Sequence, residues 1–227
     1  MPDLRIVFDL DDTLYPEREF ALSGFRAAGR WAHAELGVAG LEQEMTTLFD
    51  EGHLGPLFKL ALERHKPEHA ADELEGLVEA WRTHEPEISL FDDAAWALQH
   101  YGGLAPIGLI TDGTATMQAS KVHALELAHR FEKIIYTDAL GGRAYRKPHP
   151  LSYEHMEAAL AGDGATLVYV GDNPAKDFVT PNARGWVSIQ VRRPGIRGIH
   201  DPDKIAEGGA PRHVVGSLAE LRDVLGF

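Results

Sequence analysis

The chain has 227 residues, of which 44% are hydrophobic, with a formal net charge of −13 and no cysteine. That size suits one domain, or one domain carrying an insertion, built on an ordinary packed core. The acidic balance argues against a nucleic-acid binder, which needs a basic footprint; the missing cysteines exclude disulfides, thiolate catalysis and Cys-based zinc sites; and no apolar run approaches a membrane span.

The first predicted element is a strand, Ile6-Val7-Phe8, which runs directly into Asp9, Asp11 and Asp12. A short β-rich apolar run calls for burial on both faces, as in a parallel sheet. If extension continues, the period of two puts Asp9 and Asp11 on one side, at the carboxyl end of the strand where open α/β sheets bind ligands. Two carboxylates about 4 Å apart repel by about 4 kcal/mol at an effective dielectric near 20, so the pair calls for a cation or a raised pKa. Asp12 and Thr13 also suit a helix cap or an Asx turn. An EF-hand is excluded, because counting from Asp9 the required Gly and Glu positions hold Leu14 and Phe20. The strand starts almost at the N-terminus with no secretory leader ahead of it, and the expected location is the cytoplasm.

From Tyr15 to about residue 85 the pattern is helical throughout. Pro16 suits a first helical turn, with Phe20, Phe25, Ala28, Trp31 and Leu36 following and Gly37 as the stop. Leu41, Met45, Leu48 and Phe49 mark a second helix, about Pro56 to His65 a third, and a fourth starts near Pro67. The aromatic residues read as core. Arg18, Arg26, His53 and Lys59 are candidate substrate contacts, although each on its own suits a solvated surface better. His65 and His69 lack further ligands for zinc, and Pro67 lies between them.

Asp92 is placed to cap a helix that ends at Gly102-Gly103, and Pro106–Ile110 is the second strand. It runs into Thr111-Asp112-Gly113 and a helix with Met117, Val122, Leu125 and Ala128 on its predicted buried face. A strand, a short Gly turn and a helix N-terminus make an anion site from outward-pointing N–H groups. Phe131–Tyr136 is a third strand unit, followed by a basic loop in which Pro148 biases Lys147 away from helix and Pro150 can start the next helix. A lysine held this way suits a phosphate or a carboxylate pair. Thr166–Val170, the fourth strand, again ends in acid, at Gly171-Asp172 and then Asp177. Trp186–Val191 is a fifth strand, residues 192–212 a polar loop, His213–Val215 an edge strand, and Ser217 with Glu220 a capping box for the last helix.

In this order the motifs Asp9-x-Asp11-x-Thr13, Thr111, Lys147-Pro148 and Gly171-Asp172 with Asp177 resemble the haloacid dehalogenase-like (HAD) hydrolase superfamily. Each motif alone is weak; the ordered set after successive strands is specific. The resemblance implies an α/β fold, a Rossmann-like parallel sheet core over 1–14 and 89–227, with an inserted α-helical cap over 15–88. It implies a Mg²⁺-dependent phosphatase acting on a small phosphorylated metabolite, a sugar phosphate or nucleoside monophosphate, with no nucleic-acid or membrane partner. Asp9 would be the nucleophile and Asp11 the general acid and base, with its pKa raised by its site. Thr111, Asp112, Gly113 and Lys147 would bind phosphate. Mg²⁺ would lie on Asp9, Asp11 (through its carbonyl), Asp172 and Asp177. Relatives commonly carry Asn where this chain has Asp112, and Pro181 interrupts the helix after Asp177, where Thr180 would cap a second turn. The alternatives are a phosphosugar mutase, a haloacid dehalogenase and a non-catalytic phosphate-ligand-binding protein; oligomeric state is unreadable.

Overall fold

The computed structural model describes residues 3–162, 164–195 and 198–226, so positions 196 and 197 of the expected polar loop, and the outermost residues of the expected core, lie outside the described residues. In chain order the elements are β1 (Leu4–Phe8), α1 (Glu17–Leu36), α2 (Leu41–Asp50), α3 (Leu57–His65), α4 (Ala71–Arg82), α5 (Asp92–Gly102), β2 (Gly108–Thr111), α6 (Ala115–Ala124), β3 (Lys133–Tyr136), α7 (Leu151–Leu160), β4 (Thr166–Gly171), α8 (Val179–Ala183), β5 (Val187–Val191), β6 (His213–Val215) and α9 (Leu221–Leu225). The chain divides into two compact units, Met1–Glu17 with Ile88–Phe227, and Arg18–Glu87.

In the larger unit, six strands form one sheet in the order β3-β2-β1-β4-β5-β6. Every neighbouring pair is parallel. This is the α/β, Rossmann-like core that the family resemblance implies. Strand order reverses at β1 and β4, and crevices at that switch point are where such sheets take ligands. On one face, Val7, Ile110, Ile135, Leu167 and Tyr169 pack with Tyr153, Met156 and Leu160 from α7 and with Phe178 and Trp186. The spacing of Tyr153, Met156 and Leu160 is a helical stripe meeting a strand period of two, so local pattern and packing agree.

The smaller unit is helical among its described residues. Phe25, Ala28 and Ala32 of α1 meet Leu41, Met45 and Leu48 of α2, Leu57, Ala61 and Leu62 of α3, and Leu77 of α4, all buried. Small residues on α1 let the neighbouring helices approach. The aromatic residues are core, as expected; the ring of Phe20 meets that of Trp81 edge-on at 5.7 Å. The four candidate basic contacts sit beside acids. Arg18 pairs with Asp50 at 2.6 Å, Arg26 with Glu87 at 2.8 Å, Lys59 with Glu63 at 3.6 Å, and His53 lies 3.7 Å from Glu51.

Several expected boundaries move for local reasons. The fourth helix starts at Ala71 rather than near Pro67, because Glu73 pairs with Lys66 and accepts the Ala70 N–H at 2.9 Å, which fixes the N-terminus there. Asp92 is the first residue of α5 and its side chain does not cap it. Helix α6 stops at Ala124, so Leu125 and Ala128 lie beyond it. Thr180 does not cap: its hydroxyl donates to the Pro148 carbonyl, with Pro181 inside the short α8. The capping box is partial, since Glu220 takes the Gly216 N–H at 3.0 Å while Ser217 makes no cap bond to the helix backbone.

Candidate active site

Strand β1 ends at Phe8, one residue before the acid motif, so the alternation expected to carry Asp9 and Asp11 to the same side does not continue. The Asp9 N–H still bonds the Val170 carbonyl of β4 at 2.8 Å, which anchors Asp9 at the switch point. Beyond it the chain turns: Asp12 takes a left-handed conformation at φ 54°, which Asp tolerates better than most residues. The Asp12 carboxylate accepts the N–H of Glu17, the first residue of α1, at 2.9 Å and that of Ile199 at 3.0 Å. Asp12 therefore does the capping, as its residue type suggested. The turn sends the two catalytic candidates into different surroundings.

Asp9 points into a buried charge cluster. The Lys147 ammonium lies 2.6 Å from Asp9 Oδ1 and 2.8 Å from Asp177 Oδ1, with the lysine side chain fully shielded. It also donates to the Tyr169 hydroxyl at 3.1 Å. Burial opposes the charge on Lys147, and Asp177 and Asp9 more than restore it, so that its pKa is held well above the usual value. Burial raises Asp9 to about 7 in spite of Lys147. Burial, then the charges of Asp177 and Asp9, push Asp172 well above the usual carboxylate range. Gly171 is required here by space: a Cβ would stand 2.6 Å from Asp177 Oδ2. Asp177 in turn accepts the Asn173 N–H at 2.9 Å, which folds the Gly171–Asp177 turn back on itself.

Asp11 faces the other way. Its Oδ1 accepts from the Tyr15 hydroxyl at 2.5 Å and from the Lys121 ammonium at 2.7 Å, and its Oδ2 accepts from Gln118 Nε2 at 2.9 Å. Burial works against the charge on Asp11, but Lys121 and these hydrogen bonds prevail and hold its pKa below the ordinary value. The expectation of a raised pKa is thus corrected, and the reason is a buried lysine on α6 that the sequence reading did not single out. Thr111 is fully buried at the end of β2, and its hydroxyl accepts a hydrogen bond from the same Gln118 amide, leaving its O–H to donate.

Asp112, which stands where relatives commonly carry Asn, is a structural hub. Its Oδ1 accepts the Lys147 N–H at 3.0 Å and the Thr137 hydroxyl at 2.8 Å, and its Oδ2 pairs with Lys176 at 3.0 Å. Burial opposes its charge, and Lys147 and Lys176 outweigh burial to lower its pKa. The extra negative charge is thus matched by a cation from the turn that also carries Asp172 and Asp177. Gly113 follows at φ 132°, a conformation that disfavours any side chain.

The family model for haloacid dehalogenase-like hydrolases matches residues 5–179. The chain belongs to this family. A second HAD-hydrolase-like model matches residues 144–221. Among curated relatives, a glyceraldehyde 3-phosphate phosphatase of Methanopyrus kandleri is 28% identical over 240 residues, covering 97% of this chain and 96% of its own. A ribulose-1,5-bisphosphate 5-phosphatase of Halopiger xanaduensis is 26% identical over 239 residues, covering 97% of this chain and 98% of its own. Among solved structures, the magnesium-bound HAD-hydrolase YfnB of Bacillus subtilis superposes with a TM-score of 0.67 at 16% identity, covering 100% of both chains. It shares the fold.

Within this HAD core, Asp9, Asp172 and Asp177 each offer a carboxylate oxygen, and the three lie within 4.8 Å of one another. Asp177 Oδ1 is buried and without an aligned hydrogen-bond partner, although Lys147 lies at ion-pair distance. An all-oxygen, net-negative donor set fits a hard divalent cation. The Asp11 carboxylate stands outside this group, held by Tyr15, Gln118 and Lys121. A cleft of about 690 Å³ has Asp12, Asp172, Arg193 and His200 among its lining residues and meets the acidic group through Asp172.

Glu17 is a further acid that the sequence did not flag, half-buried as a residue with its Oε2 shielded. Its Oε2 has no hydrogen-bond partner, and burial, then the charges of Asp11 and Asp12, raise its pKa from 4.5 to about 8. A carboxyl raised on folding contributes its stability below the unfolded pKa and loses it as pH climbs through the folded one. The window is therefore pH 4.5 to about 8. Glu17→Gln should melt close to wild type at pH 5 and about 4 °C or more above it at pH 9, measured in EDTA, on the scale of 2–4 °C per kcal/mol for a chain of this size. Melting curves that stay parallel across that range would contradict a proton-holding Glu17.

Proposed function

We propose that this HAD hydrolase is a Mg²⁺-dependent phosphatase that cleaves a small phosphomonoester through an aspartyl-phosphate on Asp9. The observation that carries this is the division of labour between the two motif aspartates. Asp9 sits in a cation-fitting cluster with Asp172 and Asp177, while Asp11 is held apart in its own donor network. That separation suits one carboxylate to act as a nucleophile and the other to carry a proton. Curated relatives whose names specify phosphatases of a triose phosphate and a pentose bisphosphate support a small phosphosugar as the substrate class.

In this mechanism Asp9 attacks phosphorus, the bond to the leaving oxygen breaks, and Asp11 supplies that oxygen with a proton. Asp11 is ionised in the resting site, so the proton is taken up when the phosphate's negative charge offsets that of Lys121. A water then attacks the aspartyl-phosphate, Asp11 takes its proton, and phosphate leaves Asp9 free. Thr111 donates its hydroxyl to a phosphate oxygen, and Lys147 lowers the charge of Asp9 and of the bound phosphate. Mg²⁺ held by Asp9, Asp172 and Asp177 would offset the repulsion between an anionic nucleophile and an anionic substrate.

The test is phosphate release from a panel of triose, pentose and hexose phosphates, nucleoside monophosphates and an aryl phosphate, with Mg²⁺ and with EDTA. Metal-dependent release with a small sugar phosphate ahead is expected. No release from any of them by a folded protein would overturn the proposal, and metal-independent halide release from a 2-haloacid would replace it.

A further inference from the structure

Helix α6 carries two polar side chains on its buried face, Gln118 at 2% exposure and Lys121 at 3%, beside Val122. Burying a lysine is costly unless it is paired. Both side chains converge on one carboxylate: Lys121 Nζ lies 2.7 Å from Asp11 Oδ1, and Gln118 Nε2 lies 2.9 Å from Asp11 Oδ2. The same Gln118 amide donates to Thr111 Oγ1. Lys121 Nζ also stands 5.8 Å from the ring centroid of Tyr15, whose hydroxyl donates to Asp11 at 2.5 Å. The two oxygens of Asp11 are thus gripped separately, and rotation about its Cβ–Cγ bond would break contacts on both.

We propose that Lys121 and Gln118 are positioning residues for the proton-transfer step, fixing the plane of the Asp11 carboxylate and linking it through Gln118 to the Thr111 hydroxyl that holds phosphate. The inference rests on the phosphatase reading and adds to it residues outside the motifs that define the family. Proton transfer depends steeply on donor placement, so a carboxylate bracketed on both oxygens meets the leaving oxygen in one orientation. Gln118 gives that orientation a common reference with the phosphate grip, since one amide touches both. Lys121 grips Oδ1, and Gln118 grips Oδ2 and ties it to Thr111, so the plane of the carboxylate is fixed by the two side chains together.

The test compares kcat/KM for an alkyl phosphomonoester, whose leaving oxygen needs a proton, with that for 4-nitrophenyl phosphate, whose leaving group departs without one. In Lys121→Met the alkyl substrate should lose about 10²–10³-fold, within the range for general acid–base catalysis, and the aryl substrate less than about tenfold. Gln118→Met should show the same asymmetry at smaller size. Equal losses on both substrates, or no loss on either, would overturn the positioning role while leaving the phosphatase reading intact. Failure of the wild-type protein to hydrolyse either substrate would sink the parent reading and this one with it. Should Lys121→Met not fold by circular dichroism, Gln118→Met decides by the same comparison.

Discussion

Asp9→Asn is expected to reduce turnover by at least about 10⁴-fold on every phosphomonoester the protein accepts, in line with the loss of an essential nucleophile. The amide keeps the size and planarity of the carboxylate but cannot attack phosphorus to form an acyl phosphate. The fold should survive. The Asp9 N–H bond to Val170 is a backbone contact, and Lys147 retains Asp177 as its partner. Removing one charge from a cluster in which burial already raises Asp9 to about 7 also relieves repulsion, so the variant should melt at or above the wild-type temperature. Mg²⁺ binding, read by calorimetry, should weaken without vanishing, because Asp172 and Asp177 remain. Turnover within tenfold of wild type in a well-folded Asp9→Asn protein would remove Asp9 from the role of nucleophile.

Much of this site was legible in the sequence because its parts obey strong local rules. Apolar runs that need two-sided burial announce parallel strands, and acid at the end of β1 and again at the end of β4 marks the carboxyl edge where ligands bind. Lys147 was found through its proline neighbour and the family motif, since a buried lysine has no signature of its own. The partners of Asp11 were missed for a related reason. The apolar residues Met117, Val122, Leu125 and Ala128 define a predicted face that leaves out Gln118 and Lys121. A signal was present: residues 118, 121, 122 and 125 follow the i, i+3, i+4, i+7 spacing of a single helical face. Polar residues inside such a stripe imply a buried partner, and that partner is Asp11. The role of Asp112 was beyond reach, because it depends on Lys176, Thr137 and the Lys147 backbone meeting across long sequence separations. Its identity suggested a charge added near phosphate; its contacts show that charge already matched.

Lys147→Met should be the most destabilising change in the site, as well as nearly inactive. The side chain is completely shielded and lies between Asp9 and Asp177 at 2.6 and 2.8 Å. Methionine fills a similar volume, so the loss is electrostatic rather than a cavity. Removing one partner of a buried ion pair typically costs about 3–5 kcal/mol because an uncompensated charge stays behind. Here two carboxylates lose their cation, beside an Asp172 already pushed well above its usual range. At 2–4 °C per kcal/mol the melting temperature at pH 8 should fall by about 6–20 °C. Lowering the pH should narrow that gap. Asp9 is raised even with the lysine in place, and without it the carboxyl protonates at still higher pH, so the variant regains more stability than wild type as pH falls. Activity should drop by more than about 10³-fold, since the same ammonium is needed to offset charge on Asp9 and on the phosphate. Lys147→Arg should not rescue either property: a planar guanidinium cannot bring one compact charge to both carboxylates and the Tyr169 hydroxyl in a fully shielded position. Thermal melts of both variants at pH 8 and pH 5.5, paired with phosphate release, decide the matter. A Lys147→Met protein melting within 2 °C of wild type at pH 8, on the same scale, would mean that the acidic cluster does not depend on this lysine.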